Sequence, residues 1–139
     1  MPRTPEQLQE ARDRSQEKIL DAALELFADR GFAKTSVRAL AERAGVAQGL
    51  LYNYFDGKKD LLRAIFRRGT SQVEETFVAA ESADPSDSLE VLIRSAFEAV
   101  RRNRRFWKLT YQLRMQPEVL SEVGPEIVER AGLYPRPEV

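Results

Sequence analysis

The sequence predicts an all-α fold. Three observations carry that reading. Apolar residues recur three and four apart along most of the chain, and no stretch shows the strict apolar–polar alternation of a half-buried strand. Glycines and prolines fall where helical runs stop.

Residues 1–12 are polar, carry Pro2 and Pro5, and read as a flexible N-terminal arm. From Asp13 the pattern changes. Asp13 with Gln16 makes a capping-box-like start, and Ile19, Leu20, Ala23, Leu26 and Phe27 follow at helical spacing, so a first helix is expected over 14–30 with Gly31 as its stop. Thr35 and Ser36 offer N-cap oxygens to a second helix whose stripe is Val37, Leu40, Ala41 and Ala44, ended by Gly45. A third short helix, 48–54, follows the connection Gly45, Val46, Ala47. Two short helices about a glycine-containing turn outline a helix-turn-helix, with Val46 and Leu51 filling the angle between them. Neither helix is long enough to persist alone, so the first helix must brace both.

After Asp56 and Gly57 a long fourth helix is expected over 58–80, carrying Leu61, Leu62, Ile65, Phe66, Val73 and Phe77. At 1.5 Å per residue it would be roughly 35 Å long, enough to connect two modules. "ESADPSDS" reads as a linker. Beyond it Leu89, Leu92, Ile93, Ala96, Phe97 and Val100 trace a strongly amphipathic fifth helix. A sixth is expected over 104–115, with Phe106, Leu109 and Leu113, and a weaker one from Glu118, interrupted by Gly124 and Pro125. The expected organisation is an arm (1–12), a helix-turn-helix domain (13–57), a connecting helix (58–80) and a partial helical regulatory domain (81–139).

With 139 residues the chain holds one compact domain or a small module plus a second one. It contains neither cysteine nor histidine, which removes disulfides, thiolate metal sites and the commonest general base, so no enzymatic activity, metal or cofactor is expected. No apolar run approaches the roughly 20 residues that cross a bilayer, and the N-terminus lacks the apolar core of a secretory signal. A cytoplasmic protein that does not engage membranes is the expectation. The 22 basic and 22 acidic residues cancel, so attraction to a polyanion must come from local arrangement.

Such an arrangement lies between Lys34 and Lys59. There Lys34, Arg38, Arg43, Lys58 and Lys59 face only Glu42 and Asp56. In a helix-turn-helix the second helix enters the major groove with its first residues at base edges. Gln48 suits base-edge pairing, and Gly49 lets the backbone approach the groove wall. Leu51 and Phe55, four apart, point inward, which leaves Gln48, Leu50, Tyr52, Asn53 and Tyr54 on the outer arc. Tyrosine hydroxyls suit phosphate oxygens. Lys58 and Lys59 open a helix at the end where its dipole disfavours cations, so a phosphate is a fitting counter-ion. Thr35, Ser36 and Arg38 would repeat the arrangement at the head of the second helix. Singly, each pattern is also what half-buried aromatics or a solvated turn would give; together they point to DNA.

The stretch Lys18 to Phe66, and above all "AGVAQGLLYNYF" followed by a lysine, resembles the N-terminal DNA-binding domain of TetR/AcrR-family bacterial transcriptional regulators. The resemblance implies a ligand-responsive repressor that binds a palindromic operator in double-stranded DNA as a homodimer. It places Gln48, Gly49, Leu50 and Asn53 at bases, and Thr35, Tyr52, Tyr54 and Lys58 at phosphates. Ala47 departs from the family, which usually has Ser or Thr there, so an N-cap is missing. The two long helices that usually form the family's dimer bundle have no counterpart before the chain ends at "GLYPRPEV". The expectation is therefore a shortened member, or one that dimerises through another surface such as helices 6 and 7.

By the same resemblance, Phe66, Phe77, Phe97, Phe106, Trp107 and Tyr111 would line a small-molecule effector pocket among helices 4, 5 and 6. Plain helix packing explains aromatics at such spacing equally well, and any left uncovered invite association. Arg101, Arg102, Arg104, Arg105 and Lys108 form a second basic cluster, read as a solvated face or an anion contact. An alternative function is a truncated helical interaction module that pairs with a full-length regulator and modulates it.

Overall fold

The structure, a computed structural model, describes residues 2–81, 84 and 86–125, without the side chains of residues 77, 80, 88 and 123. Among these the fold is all-α, with α1 Pro5–Arg30, α2 Val37–Ala44, α3 Gln48–Tyr54, α4 Lys58–Glu81, α5 Ser88–Arg102, α6 Arg104–Arg114 and α7 Pro117–Val123. The packing divides the chain into two units, the first running to Ala64 and the second starting at Ile65. The segment expected as a separate connecting helix is thus shared: residues 58–64 belong to the first unit and the remainder of α4 to the second.

The expected arm is largely helical. Thr4 caps α1, its hydroxyl accepting from the Gln7 N–H at 3.2 Å while its own N–H donates to Gln7 Oε1 at 3.0 Å. Pro5 follows at the first helical position, where it has no N–H to leave unpaired and its fixed φ already suits a helix. Thr-Pro-Glu-Gln is therefore a complete capping box, and it starts the helix well before Asp13. Asp13 lies inside α1 and accepts from Gln9 Nε2 at 3.0 Å.

The first unit closes over one core. Ile19, Ala23, Leu26 and Phe27 of α1, Phe32 of the following turn, Leu40 and Ala41 of α2, Leu51 of α3, Phe55, and Leu61 and Leu62 of α4 are buried. Phe27 and Phe32 pack with ring centroids 5.1 Å apart. Burial of a side chain the size of Leu51 or Phe55 stabilises by about 1.5–3 kcal/mol, which is how a seven-residue helix persists.

In the second unit Ile65 and Phe66 of α4 are buried, as are Phe106, Leu109 and Leu113 of α6 and Leu120 of α7. Phe66 meets Phe106 edge-on at 5.7 Å, and Phe106 meets Trp107 at 5.5 Å. Gly69 makes the approach of the Phe106 ring possible: a Cβ at that position would overlap Cε2 and Cζ of the ring. The expected linker lies partly outside the described residues. Within it Asp84 accepts from the Ser86 N–H at 3.0 Å and from its hydroxyl at 2.9 Å, and these bonds hold the Asp84 carboxyl below its ordinary pKa. No helix among the described residues is long and apolar enough to cross a membrane.

Candidate nucleic-acid interface

The turn between α2 and α3 is set by Gly45. It adopts the left-handed conformation, φ 71° and ψ 31°, which a residue with a Cβ adopts only at a cost. Its N–H donates to Glu42 O at 3.2 Å and that of Val46 to Ala41 O at 3.0 Å, closing a Schellman motif that ends α2 and reverses the chain into α3. Leu51 and Phe55 face the core as their spacing predicts, and Val46 is half-buried at the angle between the helices.

That inward anchoring decides the outward face. Gln48, Gly49, Tyr52 and Asn53 are exposed, and Leu50 and Tyr54 are half-buried beside them. Tyr52 stands out from the surface with half its area accessible, so its hydroxyl is presented to solvent rather than spent in the core. Ala47 precedes α3 in an extended conformation and supplies no side-chain cap.

The head of α2 is built as follows. Ser36 is the N-cap, its hydroxyl accepting from the Ala39 N–H at 3.1 Å, and it remains exposed. Arg38 is exposed in the first turn of the helix and pairs with Glu42 at 3.3 Å. Thr35 corrects the expectation. It is only 2% exposed, and its hydroxyl lies 2.8 Å from Gly31 O and 3.3 Å from Leu26 O, donating to carbonyls at the end of α1. The side chain tethers the end of α1 to the start of α2 and faces the protein, so a phosphate contact through it is not available.

Lys58 has a partner within the protein as well. Its ammonium donates to Phe32 O at 2.8 Å and lies 4.6 Å from the centroid of the Phe32 ring. The counter-group that the opening cation of α4 needs is therefore supplied within the first unit. Lys34 is exposed, and so is Lys59 beside the half-buried Lys58. A shallow depression of about 490 Å³ joins Phe32, Val37, Tyr52, Gly57, Lys59 and Arg63, so the α3 tyrosine and the head of α4 border one surface.

One brace of this head has no signal in the sequence. Arg43 of α2 grips Glu25 of α1 with both ends of its guanidinium, Nε to Oε2 at 2.9 Å and Nη2 to Oε1 at 2.6 Å. The hydrogen bond, and then the attraction of the carboxylate, raise the pKa of Arg43. The residues are 18 apart, and only the pairing of α1 with α2 brings them together.

The aromatics expected to line a pocket lie in different surroundings. Phe66 and Phe106 are core residues packed edge-on, whereas Phe97 and Tyr111 are mostly exposed, and the Phe77 side chain lies outside the described residues. Helical spacing alone does not distinguish these fates. Trp107 lies at the edge of the stack, and its indole N–H is buried without a hydrogen-bond acceptor among the described residues. The cleft between α4 and α5, about 460 Å³ and open to solvent, is lined instead by side chains such as Gln72, Thr76, Ser95, Glu98 and Arg102. Polar residues at helical spacing read as solvated faces, which hides such a cleft from a reading of the sequence alone.

Comparison with known proteins agrees with the geometry of the first unit. Residues 19–65 match the family described as bacterial regulatory proteins, tetR family. The chain is 34% identical over 85 residues to the HTH-type transcriptional repressor KstR2 of Rhodococcus jostii, covering 60% of this chain and 42% of that protein. It is 36% identical over 90 residues to the HTH-type transcriptional regulator AcrR of Shigella flexneri, covering 65% of this chain and 40% of that protein. Among solved structures, a TetR-like transcriptional regulator from Rhodococcus sp. RHA1 superposes with a TM-score of 0.66 at 29% identity, over 78% of this chain and 61% of that one. The chain thus spans less than half the length of these two curated relatives.

Proposed function

With residues 19–65 forming a tetR-family N-terminal helix-turn-helix domain, we propose that the chain is a DNA-binding transcriptional regulator that reads a palindromic operator as a homodimer and releases it in response to a small ligand. The observation that carries the reading is the outward arc of α3. Leu51 and Phe55 anchor the helix from below, so Gln48, Gly49 and Asn53 stand where base edges would be met, with the Tyr52 hydroxyl beside them for a phosphate. The amides at the head of α2, capped by Ser36, take a second phosphate, with Arg38 and Lys34 adding charge. Lys59 and the exposed arginines supply the non-specific attraction that the neutral chain as a whole does not.

Two modules are needed because one helix-turn-helix makes few base contacts. Half-sites about 34–36 Å apart, one turn of DNA, match a dimer read across a twofold axis. The small ligand belongs in the second unit, where the open cleft between α4 and α5 offers carboxylate, guanidinium and hydroxyl groups to a polar effector.

Selection from a randomised duplex library tests the reading directly. The wild-type chain should enrich an inverted repeat, Gln48→Ala should change the enriched bases, and Tyr52→Phe should weaken retention of all duplexes alike. A library that emerges unenriched, or retention untouched by both substitutions, removes the case for α3 as the reading helix.

A further inference from the structure

Gly49 is the one glycine among the described residues for which the chain itself gives no reason. Gly31, Gly45, Gly57 and Gly124 hold positive φ angles, and Gly69 admits the Phe106 ring. Gly49 lies within α3 on a helical backbone. Its chain neighbours and the helix backbone apart, no heavy atom of the described residues lies within 4 Å of the point where a Cβ would sit. After proline, glycine is the poorest helix former, and α3 is only seven residues long and has no side-chain cap. A residue that weakens its own helix while relieving no crowding inside the chain points to something outside that comes close to the backbone there.

The groups around the gap say what that is. Asn53 stands four positions on, along the same line of the helix, and both positions are exposed. Helical side chains lean toward the N-terminus, which directs the Asn53 carboxamide over the turn at Gly49. No residue of α3 is charged. A carboxamide offers a donor and an acceptor side by side, whereas phosphate oxygens only accept and would leave its oxygen without a partner. In the major groove, adenine presents an acceptor at N7 beside a donor at N6; guanine presents two acceptors, and cytosine a donor. Adenine is therefore the match. Asparagine is also one methylene shorter than glutamine, so it meets a base only where the helix backbone lies close to the groove floor. A Cβ at position 49 would hold it away.

We propose that Gly49 and Asn53 form one reading unit for an A·T pair: the bare turn at Gly49 lets α3 settle against the groove, and the Asn53 carboxamide pairs with N6 and N7 of the adenine. The assignment rests on the operator reading above and names the base that this part of α3 selects. Asn53 touches the DNA, and Gly49 is a positioning residue that acts through it.

Fluorescence anisotropy with the duplex enriched by selection tests this, using the full chain. Gly49→Ala should unfold at a urea concentration no lower than the wild type, yet bind the enriched duplex about tenfold or more weakly while its affinity for a scrambled duplex changes less than twofold. Asn53→Ala should lose a similar factor, and the double variant should bind no more weakly than either single one, because each substitution removes the same contact. Each adenine of the repeat is then replaced in turn, in both halves, by 7-deazaadenine, which still pairs with thymine but lacks the N7 acceptor. At one position the wild type should lose about fivefold or more, and Asn53→Ala and Gly49→Ala should lose nothing further. Wild-type affinity in Gly49→Ala, independent losses that multiply in the double variant, or a 7-deazaadenine effect that persists in Asn53→Ala at every position overturns the assignment and leaves the operator reading in place. A library that yields no enriched repeat overturns both.

Discussion

The Lys58 ammonium donates to the backbone carbonyl of Phe32 at 2.8 Å while resting 4.6 Å from the centroid of that residue's ring. The contact spans 26 positions and ties the turn after α1 to the head of α4, on the two sides of the helix-turn-helix. A charged donor on a carbonyl and a cation over an aromatic face together contribute about 1–3 kcal/mol at a half-buried site. Lys58→Met, which keeps the stem and removes the charge, should lower stability toward urea by that order. Equilibrium unfolding followed by circular dichroism measures it. If stability is unchanged and only the salt dependence of DNA binding falls, the lysine serves phosphate and not Phe32.

Thr35 and Ser36 are neighbours with the same chemistry and opposite directions. Thr35→Val keeps the shape and removes the hydroxyl, leaving Gly31 O and Leu26 O without their shared donor. The expected loss is about 1–3 kcal/mol, the usual penalty for stranding a buried polar group. DNA affinity per folded molecule should stay at the wild-type value. Ser36→Ala should do the reverse in proportion, costing about 1 kcal/mol as a lost N-cap while also weakening DNA binding. Urea titration and duplex anisotropy on the two variants separate these outcomes.

Helix ends and the inward side of α3 are legible in the sequence because local chemistry decides them. Gly45 must stop α2 in any tertiary context, and Leu51 with Phe55 four residues on can only share a face. The start of α1 is equally local, but Pro2 and Pro5 disguise it as a loose arm, although Thr4 with Gln7 and Pro5 satisfies every condition for a helix N-terminus. Other features depend on what the chain packs against. Nothing near Thr35 says that its hydroxyl will reach back to Leu26, and the pairing of Arg43 with Glu25 exists only once α1 and α2 meet. The aromatics show the limit most clearly. Phe97 and Phe106 both sit at regular helical positions, and the period reveals a face without saying whether that face is covered.

Gly69 has a packing role that its place inside α4 disguises, since a glycine there would ordinarily be a weakness worth replacing. Gly69→Ala should gain helix propensity yet lose more through overlap with the Phe106 ring, which Phe66 and Trp107 hold in place. Overpacking of this kind costs about 1–3 kcal/mol. Phe106→Leu in the same chain should recover part of that loss, because the smaller side chain vacates the contested space. Thermal unfolding of the two single variants and the double variant gives the coupling. Additive losses would place the ring elsewhere.

Ala47 leaves the first amides of α3 without a side-chain acceptor, although its backbone already has the extended conformation of an N-cap, φ −67° and ψ 144°. The position is exposed, so a larger side chain meets no packing penalty. Ala47→Ser should therefore stabilise the first unit by about 0.5–1 kcal/mol, the hydroxyl accepting from an amide of the first turn. A short helix that frays less also presents Gln48 and Asn53 with less entropy to lose, so DNA affinity should rise, and a phosphate beside the new hydroxyl would raise it further. Asp at the same position separates the two effects. It caps as well as serine does but sets a negative charge against the DNA backbone, so Ala47→Asp should match Ala47→Ser in stability while binding duplex more weakly than the wild type. Equal binding by the two variants would mean that the head of α3 does not approach a phosphate, and the orientation of α3 on the groove would have to be redrawn.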